Sequence, residues 1–203
     1  MIQPIFLYGS EVLRKKAEPV DLNDKEGVAA LVQDLKDTLK VADGCGLAAP
    51  QIGVSKRVVI VDGREMVDVY PYLKDFTRTL INPVILEESD EKCTYQEGCL
   101  SIPGIYADVI RPSKMTVEYY DENLEKVVET FDKFSCRMIQ HELSHLDGNL
   151  FTDNVAPIRK KMIQKKLQNI SKGKVDLKVS LLLLSKHHPL YIQKLNQQTT
   201  IPV

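Results

Sequence analysis

The chain has 203 residues, 43% hydrophobic and 27% charged, with a formal net charge of −1, the ordinary composition of one globular domain with a substantial core. No stretch approaches the ~18 apolar residues that span a bilayer, and MIQPIFLYGSEVLRKK at the start lacks a basic segment followed by a long apolar run. Neither a membrane-spanning helix nor a secretory signal is expected, and the expected location is the cytoplasm. Without export, Cys45, Cys93, Cys99 and Cys136 read as thiols or ligands rather than disulfides.

In chain order, Val28, Leu31, Val32, Leu35 and Leu39 recur at helical spacing behind Asp24, which predicts a capped, core-packing helix over 24–40. GCGLAAPQIG (44–53) is rich in small residues, so backbone there can approach a ligand, and it carries the amide of Gln51. It lacks the Lys and Ser/Thr of a phosphate loop and the spacing of a dinucleotide fingerprint. RVVIVD (57–62), TLINPVIL (79–86), MTVEYYD (115–121) and KVVETF (126–131) are β-branched and aromatic, and predict strands. DENLE between the last two predicts an antiparallel hairpin with a longer loop. A helix follows directly over 133–147, with Gly148 placed to end it, and another begins near Pro157. The order predicts an α+β fold: antiparallel or mixed sheets packed around a central motif helix, with N-terminal and C-terminal helices.

That central helix carries HELSHLDG (141–148), an H-E-x-x-H pattern. Four residues apart on a helix, His141 and His145 leave the same face, which suits two ligands of one metal with Glu142 beside them as general base. Met138, Ile139, Leu143 and Leu146 put apolar side chains around the pair. A catalytic metal usually takes a third protein ligand. Glu142 is the last Glu of the chain, so a thermolysin-like downstream Glu does not exist, and Phe151 stands where a metzincin needs His. Asp147 faces away from both histidines, and Asp153, Asp176, His187 and His188 have no supporting motif. Upstream, EGCLS (97–101) offers Cys99, either a soft thiolate ligand or a small buried hydrophobe.

Taken together, GCGLAAPQ (44–51), EGCLS (97–101) and QHELSH (140–145) resemble the peptide deformylase family, and the resemblance runs over about 7–178. It implies Cys99 as the third ligand beside His141 and His145. It implies one divalent metal, Fe2+ physiologically, with Zn2+, Ni2+ or Co2+ able to take its place. The implied substrate is the N-formyl-methionyl end of a nascent chain leaving a bacterial ribosome, and the product is formate. Water activated by the metal attacks the formyl carbonyl, with Glu142 as general acid and base. Gln51 and the backbone N–H of Leu100 become donors to the oxyanion, and Gly46 brings backbone close to substrate. Gly46, Ile102, Met138 and Ile139 are expected to line the methionine pocket, with His141 in its wall.

Three features depart from the family. Ser144 replaces the usual Asp between the histidines, and it is expected to pair with Arg111 in support of the site. Tyr106 stands where a charged residue is common, and 179–203 matches nothing in the family, so the expected catalytic domain is 1–178 with an extension of unassigned role. Arg159, Lys160, Lys161, Lys165, Lys166, Lys172, Lys174 and Lys178 face a single Asp176 over 157–178. The resemblance makes that helix a surface for docking on the ribosome near its exit tunnel, with no DNA or membrane partner. A peptidase with the same motif and a non-catalytic nascent-chain binder are the competing readings. The first predicts indifference to loss of Cys99, and the second has no use for Glu142.

Overall fold

The computed structural model describes residues 1–42 and 44–175. Asp176, His187, His188 and the expected boundary at 178 lie outside the described residues.

Helix α1 (Lys25–Val41) begins where Asp24 accepts a 3.0 Å hydrogen bond from the Gly27 N–H. It buries Val28, Val32, Leu35 and Leu39 on one face, the stripe its spacing predicts. The chain then forms strands β1 (Gly46–Ala48), β2 (Val58–Asp62), β3 (Thr77–Glu88), β4 (Lys92–Cys99), β5 (Ile102–Pro112), β6 (Lys114–Tyr120) and β7 (Lys126–Asp132). Helices α2 (Lys133–Leu146) and α3 (Pro157–Ser171) follow.

All strand pairs are antiparallel. Five strands form one sheet in the order β1-β2-β3-β6-β7, and β4 and β5 form a separate hairpin. The one parallel contact among the described residues is an isolated bridge between Glu18 and Lys56. β3 continues through Pro83, whose missing N–H coincides with a register shift between Ile81 and Val84. Asn82, at φ 50°, secures that irregularity by exchanging hydrogen bonds of 2.9 and 3.0 Å with the backbone of Val20. The β6–β7 turn is closed by Asp121, whose carboxylate accepts the N–H groups of Asn123 and Glu125 at 2.9 Å.

The β4–β5 hairpin is not among the strands expected from the sequence: Ile105, Ala107 and Val109 alternate inward, but the apolar alternation breaks at 110–111. Ile110 points out, at 62% exposed, while Arg111 points in at 8%. That inversion of the apolar-in rule hides the strand.

Helix α2 starts abruptly after β7, with Lys133 at φ 52°, and ends at Gly148, whose φ of 72° is the left-handed cap. A Cβ on Gly148 would stand 2.6 Å from the Arg14 carbonyl oxygen, so the position requires glycine twice over. Met138, Ile139, Leu143 and Leu146 of α2 join Val59, Val61, Leu80 and Val117 of the five-stranded sheet in one core cluster. α3 lays Ile163, Leu167 and Ile170 against Ile105, Ala107 and Val109 of β5. Among the described residues no helix is long and apolar enough to cross a membrane.

Candidate active site

His141 and His145 leave α2 with ring centroids 5.2 Å apart. Cys99 ends β4 at the point where the hairpin register shifts, and its Sγ lies 3.4 Å from His145 Nε2. One ligand atom from each of Cys99, His141 and His145 falls within 4.8 Å of the others, the one such cluster among the described residues. Of the rival third ligands, those among the described residues are engaged elsewhere: Asp147 pairs with Arg57 at 2.9 Å, and Asp153 binds Arg14 and the Leu150 N–H.

Glu97 organises the cluster from behind. Its Oε1 accepts from Arg111 Nε at 2.7 Å and from Arg137 Nη1 at 2.7 Å. Its Oε2 accepts from Arg111 Nη2 at 2.9 Å and lies 2.8 Å from His141 Nδ1. An ionised carboxylate offers about four lone-pair positions, and here each has a partner. Burial by itself would raise the Glu97 carboxyl, but the bonds from Arg111 and His141 outweigh it and hold the group far below the usual range. A carboxylate of that kind makes His141 Nδ1 a donor, so a cation that displaces the ring's second proton would find the lone pair on Nε2. Arg111 Nη1 also donates to Ser144 Oγ at 2.9 Å, and that hydroxyl donates to the Gln140 carbonyl at 2.8 Å.

The two imidazoles titrate in opposite directions. Burial opposes charge on His141, yet hydrogen bonds to Cys99 and Glu97 raise it to about 10. Burial, reinforced by the neighbouring His141 charge, pushes His145 well below its ordinary value. His145 Nδ1 is buried with no hydrogen-bond partner, as is Glu142 Oε2. Burial pushes the Glu142 carboxyl up to about 7. The loop 44–53 covers it: a Cβ on Gly46 would lie 2.5 Å from Glu142 Oε1, so only glycine lets β1 pass this closely. Gln51 is fixed at both ends of its amide. Its Oε1 accepts the Ala48 N–H at 2.8 Å, and its Nε2 donates to Ser101 Oγ at 3.2 Å while lying 3.6 Å from Cys99 Sγ.

The donor set fits a divalent metal: a thiol and two imidazole nitrogens converge, and the buried Glu142 oxygen beside them has no partner within the protein. Of the expected pocket residues, Met138 and Ile139 sit in the core cluster shared with the five-stranded sheet, the Met138 methyl close to Gly63. Ile102 is fully buried in the cluster that Cys99 borders. Leu100 packs over Gly44, and the Tyr106 ring lies against Gly98, where a Cβ would come within 2.6 Å of it. Sequence reasoning passed over Glu97 and Arg137. The available signals were their spacings, Glu97 two residues before Cys99 on a strand and Arg137 four before His141 on a helix.

The polypeptide deformylase family model matches residues 2–161. A peptide deformylase of Christiangramia forsetii is 42% identical, covering 87% of this chain and 93% of its own. Among solved structures, the peptide deformylase of Thermus thermophilus superposes with a TM-score of 0.74 at 35% identity, over 85% of this chain and 99% of that one. A Plasmodium falciparum peptide deformylase gives 0.74 at 34% identity, over 82% and 94%. The chain belongs to the polypeptide deformylase family of enzymes.

Proposed function

We propose that the chain hydrolyses the N-formyl group from the N-terminal methionine of newly synthesised polypeptides, releasing formate, through a metal held by Cys99, His141 and His145. The observation that carries this reading is the convergence of one thiol and two imidazoles within 4.8 Å beside a buried, unpartnered carboxylate oxygen of Glu142. Fe2+ is the proposed physiological ion, with Zn2+, Ni2+ and Co2+ as substitutes, since a thiolate with two imidazoles suits borderline metals. When bound, such a cation lowers the pKa of water from 15.7 to about 7 and polarises a carbonyl.

The protein's own groups do the rest. Glu142, with a carboxyl near neutrality, takes the proton of the attacking water and returns it to the leaving amine. The Gln51 amide is already aimed at the Cys99 side of the site, and with the Leu100 N–H it stabilises the oxyanion that develops on the formyl oxygen. Gly46 keeps the backbone of β1 low enough for a peptide to lie beside Glu142, and Ile102, Met138 and Ile139 back the methionine pocket. Ser144 and Arg111 brace the motif helix against β5.

The catalytic unit is 1–178, acting in the cytoplasm, with 179–203 an extension to which no role is assigned. Arg159, Lys160, Lys161, Lys165 and Lys166 are exposed on α3 and offer a basic face to ribosomal RNA near the exit tunnel. Anaerobically prepared iron enzyme should release formate from formyl-Met-Ala-Ser, and Glu142→Ala should be slower by about 10²–10⁴-fold. Equal rates would remove Glu142 from the mechanism.

A further inference from the structure

We infer that Arg137 is a positioning residue of this site: it holds His141 in its ligating orientation by fixing Glu97 to the same helix. The inference rests on the proposed reading of Cys99, His141 and His145 as metal ligands.

Arg137 precedes His141 by one helical turn on α2, and its side chain is 2% exposed. Its Nη1 donates to Glu97 Oε1 at 2.7 Å and to the Val109 carbonyl at 3.0 Å, and its Nη2 donates to the Cys93 carbonyl at 2.8 Å. A guanidinium is buried this completely only where its charge is met, and Glu97 is the carboxylate that meets it.

Arg111 alone would not fix Glu97. Its bidentate contact ties the carboxylate to the partner strand β5, and its third nitrogen reaches α2 only through Ser144, a hydroxyl without charge. Without Arg137 no charged group of α2 other than the His141 ring itself would hold Glu97, and Oε2 would be placed by the hairpin and the Ser144 contact alone. Arg137 closes the loop. It approaches Oε1 from α2, the element that carries His141, so helix, carboxylate and imidazole form one hydrogen-bonded ring. A ligand's outer hydrogen-bond partner sets its ring orientation and tautomer, and Arg137 sets that partner. His145 has no comparable support, since its Nδ1 is buried without a partner.

The competing account is that Arg137 only staples the hairpin to the helix through the Val109 and Cys93 carbonyls. A double-mutant cycle separates the two. Full-length wild type, Arg137→Met, Glu97→Gln and the double variant are stripped of metal, and Co2+ affinity is measured by chelator competition. Arg137→Met should weaken binding by about 10–100-fold, and should add little once Glu97 is already Gln, because it acts through that carboxylate. Affinity unchanged or tighter in Arg137→Met overturns the inference, and so does an equal loss in both backgrounds, the signature of a staple. If a neutral variant does not fold, Arg137→Lys decides: weakened Co2+ binding at an unchanged thermal midpoint supports positioning, and unchanged binding overturns it. A wild-type chain that binds no Co2+ overturns the ligand reading and this inference with it. Tight wild-type binding unaffected at Arg137 overturns this inference alone.

Discussion

Helix α2 has two different neighbours. Toward the five-stranded sheet it presents Met138, Ile139, Leu143 and Leu146 in an apolar core cluster, with the Glu142 carboxyl against β1 as the exception. Toward the β4–β5 hairpin it presents Arg137, Gln140, His141 and Ser144, and the contact is a seam of hydrogen bonds to Glu97, Arg111 and backbone carbonyls. Apolar burial is non-directional and supplies stability. Charge-assisted hydrogen bonds are directional and supply orientation. The Cys99–His141–His145 cluster lies on the second side, where three side chains from two elements converge within 4.8 Å.

Substitution on each side should have distinguishable consequences. Glu97→Gln strikes the seam and leaves Arg111 and Arg137 buried without a countercharge. It should lower folding stability by about 3–5 kcal/mol and metal affinity by about 10–100-fold, read by urea denaturation and chelator competition. Leu80→Ala strikes the sheet side, where Leu80 is wholly buried. It should cost about 2–5 kcal/mol in the same denaturation experiment, while the folded fraction keeps wild-type metal affinity. A large affinity loss in Leu80→Ala would erase the distinction between the two sides.

The smallest expected effect concerns a charged group within the sheet, Glu129. It accepts Arg78 Nη2 and the Tyr119 hydroxyl, both at 2.7 Å. Burial would raise its carboxyl, but those partners bring it below the ordinary 4.5. The folded chain therefore holds fewer protons there than the unfolded chain. The contribution is complete above about pH 4.5 and is lost as pH falls below it, and for this partly exposed pair it amounts to less than about 1 kcal/mol. Glu129→Gln should flatten the acid limb of a stability–pH curve by lowering the neutral plateau by that small amount, with stability below about pH 3 nearly unchanged.

The same contrast decides what the sequence alone could show. Periodic apolar spacing reveals α1 and supports α2, and β-branched and aromatic composition reveals β2, β3, β6 and β7, while β1, inside the small-residue stretch 44–53, does not read as a strand. The α2 cap at Gly148 and the α3 start at Pro157 were legible from residue type. β5 was not, since Arg111 lies inward and Ile110 outward. Glu97 and Arg137 look like solvated charges in a linear reading. What buries them is partnership across 40 residues, and local periodicity carries no trace of it. Cys99 is likewise ambiguous between ligand and hydrophobe in its own stretch, and only the fold sets its Sγ 3.4 Å from His145 Nε2.

The central claim is that Cys99 completes a coordination sphere begun by His141 and His145, and Co2+ titration of the metal-free chain tests it most directly. One Co2+ per chain should bring up visible d–d bands together with a near-ultraviolet thiolate charge-transfer band. Cys99→Ser should abolish that near-ultraviolet band. Persistence of the band in the serine variant would place the sulfur ligand elsewhere and contradict the account.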